Sequence, residues 1–157
     1  MKIVIGSDKS GFALKEKIKA YLKEQGTDYV EVGTLNPDEP KPFFKVAPLA
    51  AKKIAEGEVD LGVLICGTGM GMSQVANKYK GVRAACVESV YGARMCRAIN
   101  DSNVLCMGGW IIAPEMGLDM VKAFLSTAHT EGLEEWRKDF LKNALHEVEM
   151  LETQIYG

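Results

Sequence analysis

The sequence predicts an α/β fold: a Rossmann-like three-layer sandwich with a five-stranded parallel sheet and a C-terminal helical arm. Two observations predict it. Short β-branched runs alternate five times with stretches in which apolar residues recur at helical spacing, as in successive βαβ units. The short runs are apolar on both faces rather than on alternate residues, which is typical of parallel strands covered by helices. Right-handed crossovers then place helices on both faces of the sheet.

The elements follow in order from the N-terminus. The β-branched run over residues 1–6 predicts the first strand. Apolar residues at helical spacing predict a helix over 11–25, which Gly26 ends. A strand over 30–32 and a loop over 35–42, rich in proline and charge, come next. The remaining predicted elements are helix 43–56, strand 61–65, a helix from Met72, strand 83–87, helix 90–99, strand 104–107, helix 114–125 and helix 133–155.

Composition excludes several classes of protein. A chain of 157 residues with 47% hydrophobic and 25% charged residues predicts a single domain over 1–157. A net charge of −2 argues against a nucleic-acid partner. Four cysteines without C-x-x-C spacing, with both histidines distant from them, argue against a metal site. The N-terminus is a strand rather than a signal peptide. We therefore expect a cytoplasmic protein with no membrane partner and reduced thiols.

The clearest chemical signal lies in the segment LGVLICGTGMGMSQVANK. Its apolar run ends at Cys66 and opens into a turn with glycine at positions 67, 69 and 71. Exposed N–H groups at the following helix start attract anions, and the same field favours a thiolate. The segment lacks the features of a P-loop or a dinucleotide fingerprint. We expect a base beside an oxyanion site, although a strand-end cysteine is also a common buried hydrophobe.

Parallel α/β sheets bind ligands at the carboxyl ends of their strands. Residues that follow predicted strands are therefore candidates: Ser7, Asp8, Lys9, 66–71, Glu88 and 108–110. Asn100 precedes the fifth strand, so it lies at the opposite edge unless its loop folds over the site or serves a neighbouring subunit. The helix over 133–155 is longer than this core needs. We expect it to dock on a partner subunit, with a solvated surface helix as the alternative.

Three segments carry a resemblance to a known family: IGSDKSGFALKEKIKAYL, DLGVLICGTGMGMSQVANKYKGVRAACV and INDSNVLCMGGWII. They resemble the sugar-phosphate isomerases that include ribose-5-phosphate isomerase type B and the two subunits of galactose-6-phosphate isomerase. The resemblance covers residues 1 to about 125, and Cys-Gly-Thr-Gly followed by a helix with Ala-Asn-Lys is its most specific part. It implies the fold above, no metal or other cofactor, and homodimers or homotetramers with active sites shared between chains.

The resemblance implies an aldose–ketose isomerase for a phosphorylated sugar. In such an enzyme a base removes the proton beside the carbonyl, a cis-enediolate forms, and the proton returns to the neighbouring carbon. Cys66 and Thr68 are the implied catalytic residues, with Cys66 as the base. The amides of residues 67–71 would stabilise the enediolate. The implied substrate-binding residues are Asp8, Lys9, Gly67, Gly69, Met70, Gly71, Asn100 and Arg137.

The chain departs from the family pattern at three positions. Lys9 stands where the family has a histidine after its aspartate, and Ile99 replaces the histidine that opens the sugar ring. Trp110 replaces a phosphate-binding arginine. The Gly-Gly-Arg-His tract of the C-terminal helix is also absent, which leaves Arg137 and Lys138 as the residues there that could reach a phosphate.

These departures suggest a substrate that is already open-chain. A four-carbon sugar phosphate cannot close a furanose through the hydroxyl that carries its phosphate, so it needs no ring-opening acid. Lys9 would meet the phosphate as a point charge, and Trp110 would either shorten the pocket or pack in a subunit interface. Two other functions stay open: one subunit of a hetero-oligomeric galactose-6-phosphate-type isomerase, and a non-catalytic sugar-phosphate-binding protein.

Overall fold

Five strands and six helices alternate along the chain as the sequence predicts, and the computed structural model describes residues 1–157. The strands are β1 (Lys2–Ser7), β2 (Asp28–Gly33), β3 (Leu61–Cys66), β4 (Ala84–Cys86) and β5 (Val104–Gly108). The helices are α1 (Phe12–Glu24), α2 (Phe43–Ala55), α3 (Met70–Ala76), α4 (Val90–Asn100), α5 (Pro114–Ser126) and α6 (Glu135–Tyr156). The predicted α/β class is confirmed.

All strand pairs in the sheet are parallel, and the strand order is β2-β1-β3-β5-β4. The chain adds β2 on one side of β1 and then β3 on the other, so the direction of winding changes between β1 and β3. Such a point leaves a crevice at the carboxyl ends of the strands. Ser7 pairs with Ile65 across this boundary. The next residues, Asp8 and Cys66, therefore meet at the crevice.

Two apolar cores, one on each face of the sheet, hold the strands in place. Side chains of α1, α4 and α5 cover one face, and side chains of α2 and α3 cover the other. Every residue of β3 is buried, because this central strand has neighbours on both sides and helices on both faces. The site-bearing end of β3 is thereby fixed by packing along its whole length.

Two predicted boundaries differ from the structure in ways that affect the site. The helix expected from Met72 begins at Met70, because Gly69 adopts a φ of +80° and forms the N-cap. Gly71 therefore lies in the first turn of α3 rather than in the preceding loop. Asn100, expected on a loop, is the last residue of α4, which ends where Asp101 turns left-handed with a φ of +47°.

A buried ion pair fixes the segment between β2 and α2. Lys15 is fully buried, lies 2.5 Å from the Glu31 carboxylate and donates to the carbonyl of Thr34. The Thr34 hydroxyl in turn accepts the Lys41 N–H at 3.0 Å. Lys15 thus contacts both β2, through Glu31, and the segment that follows β2, through Thr34. These bonds tie the start of that segment to α1.

Helix α6 lies outside the three layers and packs mainly on α4. Its buried residue is Leu141, and Glu152 accepts the Gly81 N–H at 2.7 Å. Between α6, α4 and the open edge of β4 runs a groove of about 650 Å³. Exposed apolar side chains occur along α6, at Trp136, Phe140, Val148, Met150, Leu151, Ile155 and Tyr156. Docking of residues 133–155 on a partner stays a prediction. No helix combines the length and apolar character needed to cross a bilayer.

Candidate active site

Close backbone contacts hold the loops after β1, β3 and β5 together. Gly109 donates its N–H to the carbonyl of Cys66 at 2.7 Å, and Trp110 donates to that of Gly67 at 3.0 Å. A Cβ placed on Gly11 would lie 2.4 Å from the carbonyl oxygen of Ile65. No side chain fits at such a distance. The approach of neighbouring backbone therefore requires glycine at position 11.

The same constraint applies on the β5 side. A Cβ on Gly108 would lie 2.7 Å from the carbonyl oxygen of Gly67, and one on Gly109 would lie 2.5 Å from that of Ser10. The three loops thus touch through backbone atoms. This packing brings the residues that follow β1, β3 and β5 to one place, as the sequence predicted from their positions after strands.

Cys66 is buried at the end of β3 and faces the layer of α2 and α3. The Gly69 N–H points at its Sγ from 3.1 Å. A backbone donor on sulfur stabilises negative charge there. Burial raises the pKa of the other three thiols, those of Cys86, Cys96 and Cys106.

The five amides expected to form the oxyanion site divide into two groups. Gly69 donates to Cys66, and Met70 donates to the hydroxyl of its neighbour Thr68 at 3.3 Å. The N–H groups of Gly67, Thr68 and Gly71 make no hydrogen bond within the chain. Unpaired N–H groups around a turn attract an anion. Three of the five expected amides are therefore free to receive one.

Asp8 stands beside this turn at the end of β1. Its carboxylate accepts the Gly11 N–H at 3.0 Å. Burial raises the pKa of Asp8, and the N–H groups of Gly11 and Ser10 offset part of that effect. Lys9 is exposed on the same loop. The structure thus places the loop that carries Asp8 and Lys9 beside the end of β3, where Asp8 donates its N–H to the carbonyl of Ile65 at 3.2 Å.

Two aromatic side chains frame the turn. The ring of Trp110 lies 2.7–2.8 Å from the position that a Cβ on Gly67 would occupy. The ring of Phe43 lies 2.7 Å from the corresponding position on Gly71. The sequence placed Phe43 in a helix but not at the site. The sequence feature that could have indicated Phe43 was its position as the first apolar residue of that helix, immediately after Pro42.

Cys86 is a second residue of the site that sequence reasoning missed. Its thiol donates to the carbonyl of Thr68 at 3.6 Å, and its Sγ lies 3.0 Å from a Cβ position on Gly69. Cys86 ends β4, which lies two strands away from β3 in the sheet. Its contact with the turn therefore depends on the strand order, which the sequence pattern does not give.

Asn100 and Arg137 lie away from Cys66. Asn100 ends α4 before β5 begins, at the amino edge of the sheet. Arg137 follows in the first turn of α6, and the segment before it is tied to the end of α4 because Thr130 donates to the carbonyl of Ala98 at 2.8 Å. Within one chain these two predicted residues do not join the site.

These features define an α/β protein with a site at the winding reversal of a parallel sheet: a buried thiol, free amides, a carboxylate and an exposed lysine. No three His, Cys, Asp or Glu side chains cluster closely enough to hold a metal ion. The model of the Ribose/Galactose Isomerase family matches residues 3–141. The chain belongs to this family, and it is an isomerase that acts on a small sugar.

Individual relatives agree with the family. The chain is 59% identical over 156 residues to a 4-deoxy-4-sulfo-D-erythrose isomerase of Clostridium sp. (strain MSTE9), covering 99% of this chain and 98% of that protein. It is 39% identical over 127 residues to D-erythrulose-4-phosphate isomerase 2 of Mycolicibacterium smegmatis, covering 80% and 84%. A structure of Clostridium thermocellum ribose-5-phosphate isomerase B is 34% identical, with a TM-score of 0.89 and 99% of both chains covered.

Replacing Gly69 with alanine should destabilise the protein more than the same change at Gly57. Both glycines have left-handed backbone, with φ of +80° and +71°, but a Cβ on Gly57 meets nothing within 4 Å. A Cβ on Gly69 lies 2.8 Å from the Met107 backbone. We expect Gly57→Ala to cost about 1 kcal/mol and Gly69→Ala about 1–3 kcal/mol more, measured by urea unfolding. Equal losses would contradict the close packing.

Replacing Asp8 with asparagine should raise stability at neutral pH. Burial raises the pKa of Asp8 above 3.8, so the charged carboxylate costs folding free energy at pH 7. That cost disappears as the pH falls through the raised pKa and below 3.8, where folded and unfolded chains are both protonated. We expect Asp8→Asn to raise the Tm by about 2 °C at pH 7 and to converge with wild type near pH 3.

The control for this comparison is Asp38→Asn, because Asp38 is an exposed carboxylate. Its Tm should follow that of wild type throughout the pH range. An Asp8→Asn variant less stable than wild type at pH 7 would show that hydrogen bonding to the carboxylate, rather than burial, dominates at this position.

Proposed function

We propose that the protein interconverts 4-deoxy-4-sulfo-D-erythrose and its ketose, 4-deoxy-4-sulfo-D-erythrulose. The observation that carries this proposal is the 59% identity, over nearly the whole chain, to an isomerase of that sugar. The chemistry of the substrate supports it. Carbon 4 bears a sulfonate and no hydroxyl, so the sugar cannot close a furanose ring. An enzyme for this substrate needs no ring-opening acid, which agrees with isoleucine at position 99.

Cys66 is the proposed base. Its thiolate removes the proton from carbon 2 of the aldose, which leaves a cis-enediolate across carbons 1 and 2. The same proton returns to carbon 1 while the hydroxyl proton on oxygen 2 passes to oxygen 1, and the ketose results. The Gly69 N–H, 3.1 Å from Sγ, stabilises the thiolate before the reaction. Burial of Cys66 keeps the reacting sulfur out of bulk water.

The free amides of Gly67, Thr68 and Gly71 are the proposed donors to the enediolate oxygens. A donor of this kind contributes about 3 kcal/mol in other enzymes. Asp8, adjacent to Cys66 across the β1–β3 boundary, and the hydroxyl of Thr68 are placed to hold the sugar hydroxyls. These roles need no movement of the turn, because its backbone is already fixed by the contacts of β5.

The end group of the substrate fits the charge at this edge. A sulfonate carries one negative charge at neutral pH, whereas a phosphate monoester carries close to two. Lys9 is the cation on the loop beside Asp8, and Trp110 supplies no charge. With tryptophan in place of the family's arginine, position 110 offers no partner for a second negative charge, which supports a monoanionic sulfonate over a phosphate as the end group.

The test is aldose–ketose conversion in D₂O followed by NMR, with 4-deoxy-4-sulfo-D-erythrose, D-erythrose 4-phosphate and ribose 5-phosphate as substrates. We expect the sulfonate to have the highest kcat/KM. Cys66→Ala should reduce turnover at least about 100-fold, since general bases contribute that much. Cys96→Ala is the matched control, because Cys96 lies in α4 away from the turn; its activity should stay within about threefold of wild type.

Other outcomes would revise the proposal in defined ways. Faster turnover of ribose 5-phosphate than of either four-carbon sugar would exclude the short substrate. Faster turnover of erythrose 4-phosphate than of the sulfonate would support a four-carbon substrate but exclude the sulfonate as its end group. Activity on no substrate until a second family subunit is added would favour the hetero-oligomeric alternative.

We also propose that a second copy of the chain completes the site with its Asn100 and Arg137. Within one chain both residues lie at the amino edge, away from Cys66. Exposed apolar residues occur both along α6 and around the Cys66 edge, at Leu35, Phe44, Met70 and Ile111. Apolar surface of this kind is typical of subunit contacts. Two copies related by a twofold axis would make two such sites.

Mixing two inactive variants tests this arrangement. Cys66→Ala and Asn100→Ala, each weakly active alone, should recover activity when they are unfolded and refolded together, because a hybrid dimer has one site with both residues intact. Random pairing gives about a quarter of wild-type activity. Mixing Cys66→Ala with Asp8→Ala is the control and should recover nothing, since these residues come from the same chain. Recovery in neither mixture would place the whole site within one chain.

A further inference from the structure

We propose that Trp110 determines specificity for substrate length, an inference that rests on the proposed function and deepens it. Its ring, held over Gly67, forms a wall that admits a four-carbon sugar and excludes a five-carbon one. Three features of the structure support it: the backbone contacts that fix Trp110, the position of its ring, and the neighbouring loop that carries Lys9.

The backbone of Trp110 cannot move away from the site. Its N–H donates to the carbonyl of Gly67 at 3.0 Å, and the preceding residue, Gly109, donates to that of Cys66 at 2.7 Å. Ile112, two residues after Trp110, is buried in the core under α5. Trp110 is thus anchored on both sides to the end of β3 and to the core.

The ring of Trp110 covers the backbone next to the reacting thiol. Three of its six-membered-ring atoms lie 2.7–2.8 Å from the position that a Cβ on Gly67 would occupy. Similar distances to three atoms of one ring mean that Gly67 faces the plane of the indole. The side chain is nevertheless 74% exposed. One face rests on the turn, and the rest of the ring borders the open space above it.

The loop that carries Lys9 packs against the residue before Trp110. Gly109 packs against the loop after β1, since a Cβ on it would lie 2.5 Å from the carbonyl oxygen of Ser10. Lys9 and Trp110 therefore flank the same backbone contact, one with a flexible ammonium and the other with a rigid ring. A substrate whose carbonyl carbon lies at Cys66 extends its charged end toward this pair.

The length limit follows from this geometry. The ammonium of Lys9 can follow an end group over several ångströms, because its stem is flexible. The indole rotates about only two side-chain bonds, and withdrawing it from the turn removes its contact with Gly67. One additional CHOH group moves the charged end outward by about 1.3 Å, on the scale of a single carbon–carbon bond projected along the chain. The rigid wall, rather than the flexible cation, therefore distinguishes the two substrates.

The experiment compares kcat/KM for D-erythrose 4-phosphate and ribose 5-phosphate, which differ in chain length but share an end group. Trp110→Ala and Trp110→Arg should each lower the ratio of four-carbon to five-carbon activity at least tenfold. Trp110→Phe retains a flat ring and should keep the ratio within threefold of wild type. Leu49→Arg, which changes an exposed apolar residue of α2, is the control and should leave the ratio unchanged.

The outcomes separate this inference from the proposed function. A ratio that stays constant in Trp110→Ala and Trp110→Arg would overturn the inference, even if wild type acts on the sulfonate sugar. An equal loss on both substrates, together with a change in native mass, would also overturn it and place Trp110 in a subunit contact. A wild-type enzyme that prefers the phosphate to the sulfonate would overturn the proposed function and leave the ratio test intact.

Discussion

The site depends on direct backbone contact between the loops that end β1, β3 and β5. Glycine at positions 11, 108 and 109 lets carbonyl oxygens approach to distances that a Cβ would block. These contacts hold the β3 turn from both sides, so that the N–H groups of Gly67, Thr68 and Gly71 stay unpaired within the chain. Preorganised donors avoid the cost of reorienting during the reaction. The rigidity of this edge is therefore the condition for the proposed chemistry.

The same constraint separates residues that can change from those that cannot. Lys9 and Trp110 project from the edge and are exposed, so another side chain at either position leaves the backbone contacts intact. Gly11 and Gly108 have no such freedom. The departures from the family pattern occur at the projecting positions and at Ile99, whereas the Cys66 turn is retained. A change of end group or chain length can thus arise without loss of the proton-transfer site.

Most of the fold and part of the candidate site could be predicted from the sequence. Alternating apolar runs predicted every strand and helix to within about two residues, because buried parallel strands and amphipathic helices have distinct periods. The strand-end rule gathered Asp8, Lys9 and the Cys66 turn. The structure added what periodicity does not contain: the order β3-β5-β4, which brings Cys86 under Gly69, and the N-cap at Gly69, which divides five amides into bonded and free.

The division of the amides has a consequence for how charge is distributed during the proposed reaction. Negative charge begins on Cys66, where the Gly69 N–H meets it, and moves to the enediolate oxygens beside the free amides of Gly67, Thr68 and Gly71. In the proposed reaction, one short turn thus stabilises the anion before and after proton transfer with different donors. Because neither set has to serve both anions, the turn need not move as the charge shifts. A fixed backbone and a mobile proton are therefore compatible at this site.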